Sequence, residues 1–164
     1  MTAEPTQPNA GDPAPGFTAT AVGGKYGTGQ IVRLEEFRGR PVVLYFYPKD
    51  DTPGCTAQAC GLRDAWNEFE GSAEIFGVSI DSTASHEKFS AKYDLPFPLL
   101  SDHEKKIVNA YGVWVEKNIY GRRYMGTART TFIIDARGRI AKILSKVKPA
   151  EHVAELRAAL GDVK

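Results

Sequence analysis

Apolar residues fall along this chain in short blocks whose internal period alternates between that of a strand and that of a helix. Residues 17–22 and 30–33 are short strand candidates separated by Gly23, Gly24, Gly27 and Gly29, and a hairpin is the simplest account of the pair. The run 41–47 is continuously apolar, of strand length, and stops at Pro48, as suits a central strand covered on both faces. Beyond a turn-rich loop, Leu62, Ala65, Trp66 and Phe69 recur at helical spacing, so an amphipathic helix is predicted there. Residues 73–80 then read as a buried strand, 83–93 as a helix, 97–100 as a short strand and 104–111 as a further helix. Around Ala136, Arg137 and Gly138, the segments 130–135 and 139–144 have the spacing of an antiparallel hairpin. Pro149 opens a last helix whose Val153, Leu156 and Leu160 share a face and whose stop is assigned to Gly161. Alternating strands and helices followed by a hairpin and a helix predict an α/β fold, with a mixed central sheet flanked by helices on both faces and an N-terminal β-hairpin.

Composition narrows the class. The chain has 164 residues, of which 42% are apolar, enough for one sizeable core. Pro5, Pro8, Pro13 and Pro15 crowd the beginning, a composition that cannot offset its ordering entropy unless it lies along something else. Residues 1–11 are therefore expected to form a flexible tail and 12–164 a single domain. A net charge of +1 leaves no broad field for nucleic acid or an anionic membrane, and no apolar run reaches membrane-spanning length. The first residues lack the basic-then-apolar order of an export signal, and two cysteines are too few for a disulfide framework. A cytoplasmic, reducing setting is expected, in which any disulfide is transient.

Those two cysteines, Cys55 and Cys60, carry the candidate chemistry. Thr52 is a good N-cap residue and Pro53 suits the first helical position, so Cys55 falls in the first turn of the helix that carries Leu62. Unpaired backbone N–H groups and the positive end of the helix dipole favour a thiolate there. Cys60 lies five residues on, which turns its side chain by about 140° from that of Cys55 and sets the Cα atoms roughly 8.6 Å apart in an intact helix. That exceeds the ~7 Å limit for a disulfide, so a bond between them requires the helix to unwind. Gly61 makes unwinding easier, since an interior glycine costs a helix about 1 kcal/mol relative to alanine.

Pro48, Lys49, Asp50, Asp51, Thr52, Pro53, Gly54 and Cys55 in succession resemble the Pro-x-x-x-Thr-x-x-Cys active-site loop of peroxiredoxins. With the Cys-x4-Cys spacing, the run from Ala59 to Asp64, Gly112-Val113-Trp114 and the run from Ala128 to Asp135, the chain is similar to the Q-type, or bacterioferritin-comigratory, subgroup from about Gly11 to Leu160. The resemblance implies a thioredoxin-like fold and thiol-dependent reduction of hydrogen peroxide and organic hydroperoxides. It also implies electrons supplied by thioredoxin or a glutaredoxin-like reductant, no metal or organic cofactor, and a monomer with a weak dimer as the alternative. By the same resemblance Cys55 is the peroxidatic nucleophile and Cys60 the resolving cysteine. Thr52 and Arg129 hold the peroxide and support charge as the O–O bond breaks, and Pro48 shapes and shields the loop. Gln58 stands where many Q-type sequences have glutamate, which removes any carboxylate-assisted step at that position.

Full ionisation of an ordinary thiol at pH 7 gains only about 2 kcal/mol, against barrier reductions of ~8 kcal/mol or more in enzymes. Most of the acceleration must therefore come from alignment of the peroxide and stabilisation of the departing oxygen. Two other functions share these features. A disulfide oxidoreductase would share the fold, but normally uses Cys-x-x-Cys and has proline where this chain has Arg129 before Thr130. A redox-regulated binding or chaperone module would consume one peroxide per chain rather than many. Elsewhere, bland readings are preferred: His86 and His103 as solvated histidines with no metal-ligand spacing, Trp66, Phe69 and Trp114 as core, and Glu104 to Lys106 as a solvated helix face.

Overall fold

The computed structural model describes residues 6–163, in which seven strands form one sheet. Strands β1 (Thr18–Val22), β2 (Gln30–Arg33), β3 (Val42–Phe46), β4 (Glu74–Ser79), β5 (Leu99–Ser101), β8 (Thr130–Ile134) and β9 (Ile140–Leu144) take the order β2-β1-β5-β4-β3-β8-β9. β3 runs parallel to β4 and β4 to β5, whereas the other pairs are antiparallel, so the sheet is mixed. β1 and β2 form the expected N-terminal hairpin.

The central strand shows why its sequence is apolar without interruption. Val42, Leu44 and Phe46 enter a core on one face with Ile107, Val108 and Tyr111, around helix α4 (Lys106–Ala110). Val43, Tyr45 and Tyr47 enter a second core on the other face. There they meet Leu62 of α1 (Pro53–Asp64), Phe69 of α2 (Trp66–Phe69), Phe89 of α3 (Thr83–Tyr93) and Leu156 of α5 (His152–Gly161). Among the described residues no helix is long and apolar enough to cross a membrane.

Several local expectations need correction. The helix predicted through Phe69 is interrupted at Ala65 (φ −98°, ψ 9°), a turn that lets Trp66 pack on Phe97 at 5.7 Å between ring centroids while Phe69 is buried. α4 is shorter than predicted because Lys105 takes a left-handed conformation (φ 63°) and the Asp102 carboxylate accepts the Ile107 and Val108 N–H groups, which starts the helix late. Pro149 begins a 3-10 turn ahead of α5, and Gly161 is the last helical residue rather than a left-handed stop. A hairpin that was not anticipated, β6 (Trp114–Ile119) with β7 (Arg122–Thr127), stands apart from the main sheet. Its turn residues Tyr120 (φ 52°) and Gly121 (φ 78°) both have positive φ, as a two-residue hairpin loop demands.

Of the expected tail, residues 1–5 lie outside the described residues. Thr6 to Gly11 run along the domain: Gly11 N–H donates to Ile140, and Ile140 N–H to Asp12. A Cβ on Gly112 would come within 2.5 Å of the Gln7 backbone nitrogen.

β4 crosses Tyr45 at Gly77, where an added Cβ would lie 2.7 Å from the Tyr45 hydroxyl and 2.8 Å from a Leu99 methyl. Gly77→Ala is therefore expected to overpack the sheet and lower the unfolding free energy by about 1–3 kcal/mol in urea denaturation. An unchanged midpoint would show that Tyr45 moves aside freely.

Candidate active site

β3 delivers the chain through Tyr47 and Pro48 to a loop beyond its C-terminal end, and α1 starts directly after that loop. Thr52 has the extended backbone of an N-cap (φ −96°, ψ 155°), and Pro53 occupies the first helical position. The side-chain cap expected of Thr52 is absent, because its hydroxyl donates instead to the Lys49 carbonyl at 2.9 Å. With that proton engaged, the Thr52 oxygen faces other groups as an acceptor. Cys55 is the third residue of α1, directly before Thr56, whose N–H donates the first helical hydrogen bond to the Thr52 carbonyl at 2.8 Å, and is 2% exposed.

Arg129 arrives from the opposite end of the sequence, between β7 and β8. Its Nη2 lies 3.4 Å from Cys55 Sγ, and its Nη1 donates to Gln58 Oε1 at 2.5 Å. Gln58 is one helical turn beyond Cys55 and is buried. The fork geometry of a guanidinium is thus used twice, once to anchor and once to meet the sulfur. Gly54 permits this approach, since a Cβ there would sit 3.3 Å from Arg129 Nη2 and 3.6 Å from Pro149 Cγ. Cys60, half-buried in the same helix, remains a thiol like Cys55.

The loop itself is fastened to α3 by two consecutive aspartates. Asp50 Oδ1 accepts the Tyr47 hydroxyl at 2.6 Å, while its Oδ2 lies 2.8 Å from Ser85 Oγ and 2.7 Å from His86 Nδ1. Asp51, in a left-handed conformation (φ 57°), takes hydrogen bonds from Lys92 and Tyr93, which hold its carboxyl below the usual range. His86 is fully buried, which corrects the reading of it as solvated, whereas His103 is exposed as expected. The reason is that its second ring nitrogen reaches the Leu100 carbonyl at 2.9 Å, so both nitrogens meet acceptors inside the fold. Asp50, Asp81 and His86 gather within 4.8 Å of one another, but their polar atoms are taken up by this network rather than turned toward a metal.

Beneath α1 lies a third group that the sequence reading passed over. His152 is fully buried, its ring 5.4 Å from that of Tyr45, and its Nε2 is 3.0 Å from Thr131 Oγ1. Burial, together with the Arg129 charge, pushes it down to about 4. Burial and the Asp50 charge push the Tyr45 phenol well up. Lys117 of β6 is lowered by burial and by Arg129, which places one face of the extra hairpin beside the same cluster. Neither Asp50, His86 nor His152 carries a local signal in the sequence, since their partners lie 36 residues away for the Asp50–His86 pair and 21 for Thr131–His152.

Residues 10–143 match the AhpC/TSA family. The peroxiredoxin Bcp of Bacillus subtilis is 49% identical over 136 residues, covering 82% of this chain and 87% of that protein. The peroxiredoxin Bcp of Escherichia coli K12 is 40% identical, covering 87% and 89%. Among solved structures, the bacterioferritin comigratory protein of Xanthomonas campestris, studied for alkyl peroxide reduction, superposes with a TM-score of 0.80 at 37% identity over 88% of this chain and 90% of that one. A peroxiredoxin Q mutant from Xylella fastidiosa does so with a TM-score of 0.85 at 31% identity, covering 95% and 97%.

Gln58→Met keeps length but removes the acceptor for Arg129, a hydrogen bond to a charged group that contributes about 1.5–3 kcal/mol. Chemical denaturation is expected to show a loss of that order for Gln58→Met and a smaller one for Gln58→Glu, which retains an acceptor. Equal losses would show that Arg129 does not depend on this bond.

Proposed function

Because the chain belongs to the AhpC/TSA peroxiredoxins, in the branch of the Bcp and Q-type proteins, it is a thiol peroxidase that takes a hydroperoxide substrate and a thiol reductant, and we propose that Cys55 is its peroxidatic nucleophile. The observation that carries this assignment is the Arg129 guanidinium, fixed on Gln58 and 3.4 Å from the Cys55 sulfur. A cation held there by a bond on its other nitrogen faces both the attacking sulfur and the oxygen that leaves.

The Cys55 thiolate attacks the terminal peroxide oxygen, forming an S–O bond as the O–O bond breaks. The alkoxide or hydroxide released takes a proton and leaves as alcohol or water, while Cys55 becomes a sulfenic acid. Thr52 accepts the hydroperoxide O–H through an oxygen whose own proton is engaged with Lys49. Pro48 sets the loop direction at the end of β3 and limits water at the sulfur. The Cys60 sulfur then attacks Cys55, water departs, and a Cys55–Cys60 disulfide remains. Its formation requires α1 to unwind over its first turns, for the two sulfurs diverge around an intact helix.

Two electrons from an external dithiol restore the pair by exchange, and thioredoxin, or a glutaredoxin-like protein, is the reductant proposed. The chain acts as a monomer in the reducing cytosol on this reading. A switch that uses the same disulfide to alter a surface would stop after one peroxide per chain, so turnover number separates the two.

In a coupled assay with hydroperoxide, thioredoxin and its reductase, Cys55→Ser is expected to abolish consumption. Cys60→Ser is expected to complete one turnover and then accumulate sulfenic acid. Equal residual rates in the two variants would contradict the division of roles.

A further inference from the structure

α1 rests on the segment that opens α5. Gly54 approaches Pro149 and Gly61 approaches Val153, so the helix that carries both cysteines covers the residue between those two contacts, His152. His152 is fully buried, and its Nδ1 has no hydrogen-bond partner among the described residues. Its other nitrogen is engaged by Thr131 Oγ1, and Tyr45, whose hydroxyl also lacks a partner, lies against its ring. An imidazole enclosed in this way is held neutral, and it has a strong reason to take up a proton as soon as its cover lifts.

We propose that His152 is a positioning residue of the resolving step in mildly acidic solution: it seats α1 only in its neutral form, and there unwinding of α1 lets it protonate, which holds the helix open for Cys60 to reach Cys55. This rests on the reading that a Cys55–Cys60 disulfide forms through unwinding of α1. The groups that face the imidazole are Arg129 before β8 and Tyr45 on β3, with Asp50 and the two thiols of α1 acting in turn on that phenol, while Lys148, Glu151 and Glu155 share its own segment of chain. The Arg129 charge opposes protonation in the closed state, and burial with the Asp50 charge keeps the Tyr45 phenol neutral.

The direction of the effect follows from the imidazole, which is lowered from 6.5 to about 4 while α1 is seated. The open state recovers the ordinary value. Above pH 6.5 neither state binds the proton and the opening equilibrium is flat. Between pH 6.5 and 4 only the open state binds it, so opening grows about tenfold per pH unit, to a total of roughly 300-fold.

The first test is a nuclear magnetic resonance titration of the His152 ring in the dithiol and disulfide forms of the whole protein. Midpoints near 4 in the dithiol and near 6.5 in the disulfide are expected; the same midpoint in both would overturn the proposal. Mass spectrometry of the peroxide-treated sample asks separately whether the Cys55–Cys60 bond forms, and its absence would remove the underlying reading instead. The second test is amide exchange over residues 55–62 in the reduced protein, corrected for the intrinsic pH dependence. Wild type is expected to open about tenfold more per unit below pH 6.5, and His152→Gln, which keeps both thiols, is expected to lose that slope. A slope retained in His152→Gln would assign it to another group and overturn the proposal, and the wild-type titration decides the matter if the variant does not fold.

Discussion

The single contact on which the rest of the site depends is the approach of Arg129 to Cys55. It joins the two ends of the fold: the cysteine is placed by the β3–α1 connection and the arginine by the lead-in to β8, and β3 and β8 are neighbours in the sheet. Register does the positioning, for Phe46 stands opposite Thr130, so the residues just beyond the end of one strand meet those just before the start of the other. Gln58 then uses the rigidity of α1 to hold the guanidinium in place. Sheet, helix and loop therefore each fix one side of a triangle whose corners are a sulfur, a cation and an amide oxygen.

In the proposed cycle, that triangle is built on a helix that must also come apart. Gly61 weakens α1 from within, and the helix and its seat together contain buried polar atoms of Gln58, Tyr45 and His152 that have no partner among the described residues. Each such atom costs of order 1–3 kcal/mol in a closed state, and none of that cost need persist once α1 opens to water. The loop before α1 is treated in the opposite way. Asp50 and Asp51 bolt it to α3 through Ser85, His86, Lys92 and Tyr93, and Asp50 also to Tyr47 at the end of β3. On the proposed function, rigidity is placed where the peroxide is to be aligned, and weakness where one sulfur is to travel to the other.

The fold was legible because burial dictates period. β3 reads as one apolar run since both of its faces are covered, and α3 was bounded by a sequence that begins after Ser82, whose hydroxyl does cap Ser85 N–H. Spacing alone was enough to set Pro48, Thr52 and Cys55 together on one loop and helix start. What escaped were features made by distant partners. The cap on Thr52 was diverted by a carbonyl three residues back, and His86 was drawn inside by Asp50 and a strand carbonyl, neither of which lies near it in sequence. The β6–β7 hairpin escaped because its exposed positions, Ile119, Tyr124 and Met125, do not alternate cleanly with polar ones. His152 was hidden because a helix-start histidine looks the same in sequence whether it faces water or lies beneath another helix.

In the proposed cycle, oxidation of one sulfur and its capture by the other are separate events, with a helix transition between them. Stopped-flow fluorescence of Trp66, which sits just past α1 against Phe97, resolves these events directly. Two phases are expected, the first with a rate proportional to hydroperoxide concentration and the second independent of it. A single phase that remains proportional to peroxide at every concentration, with the disulfide formed at the same rate, would show that no helix transition separates attack from capture.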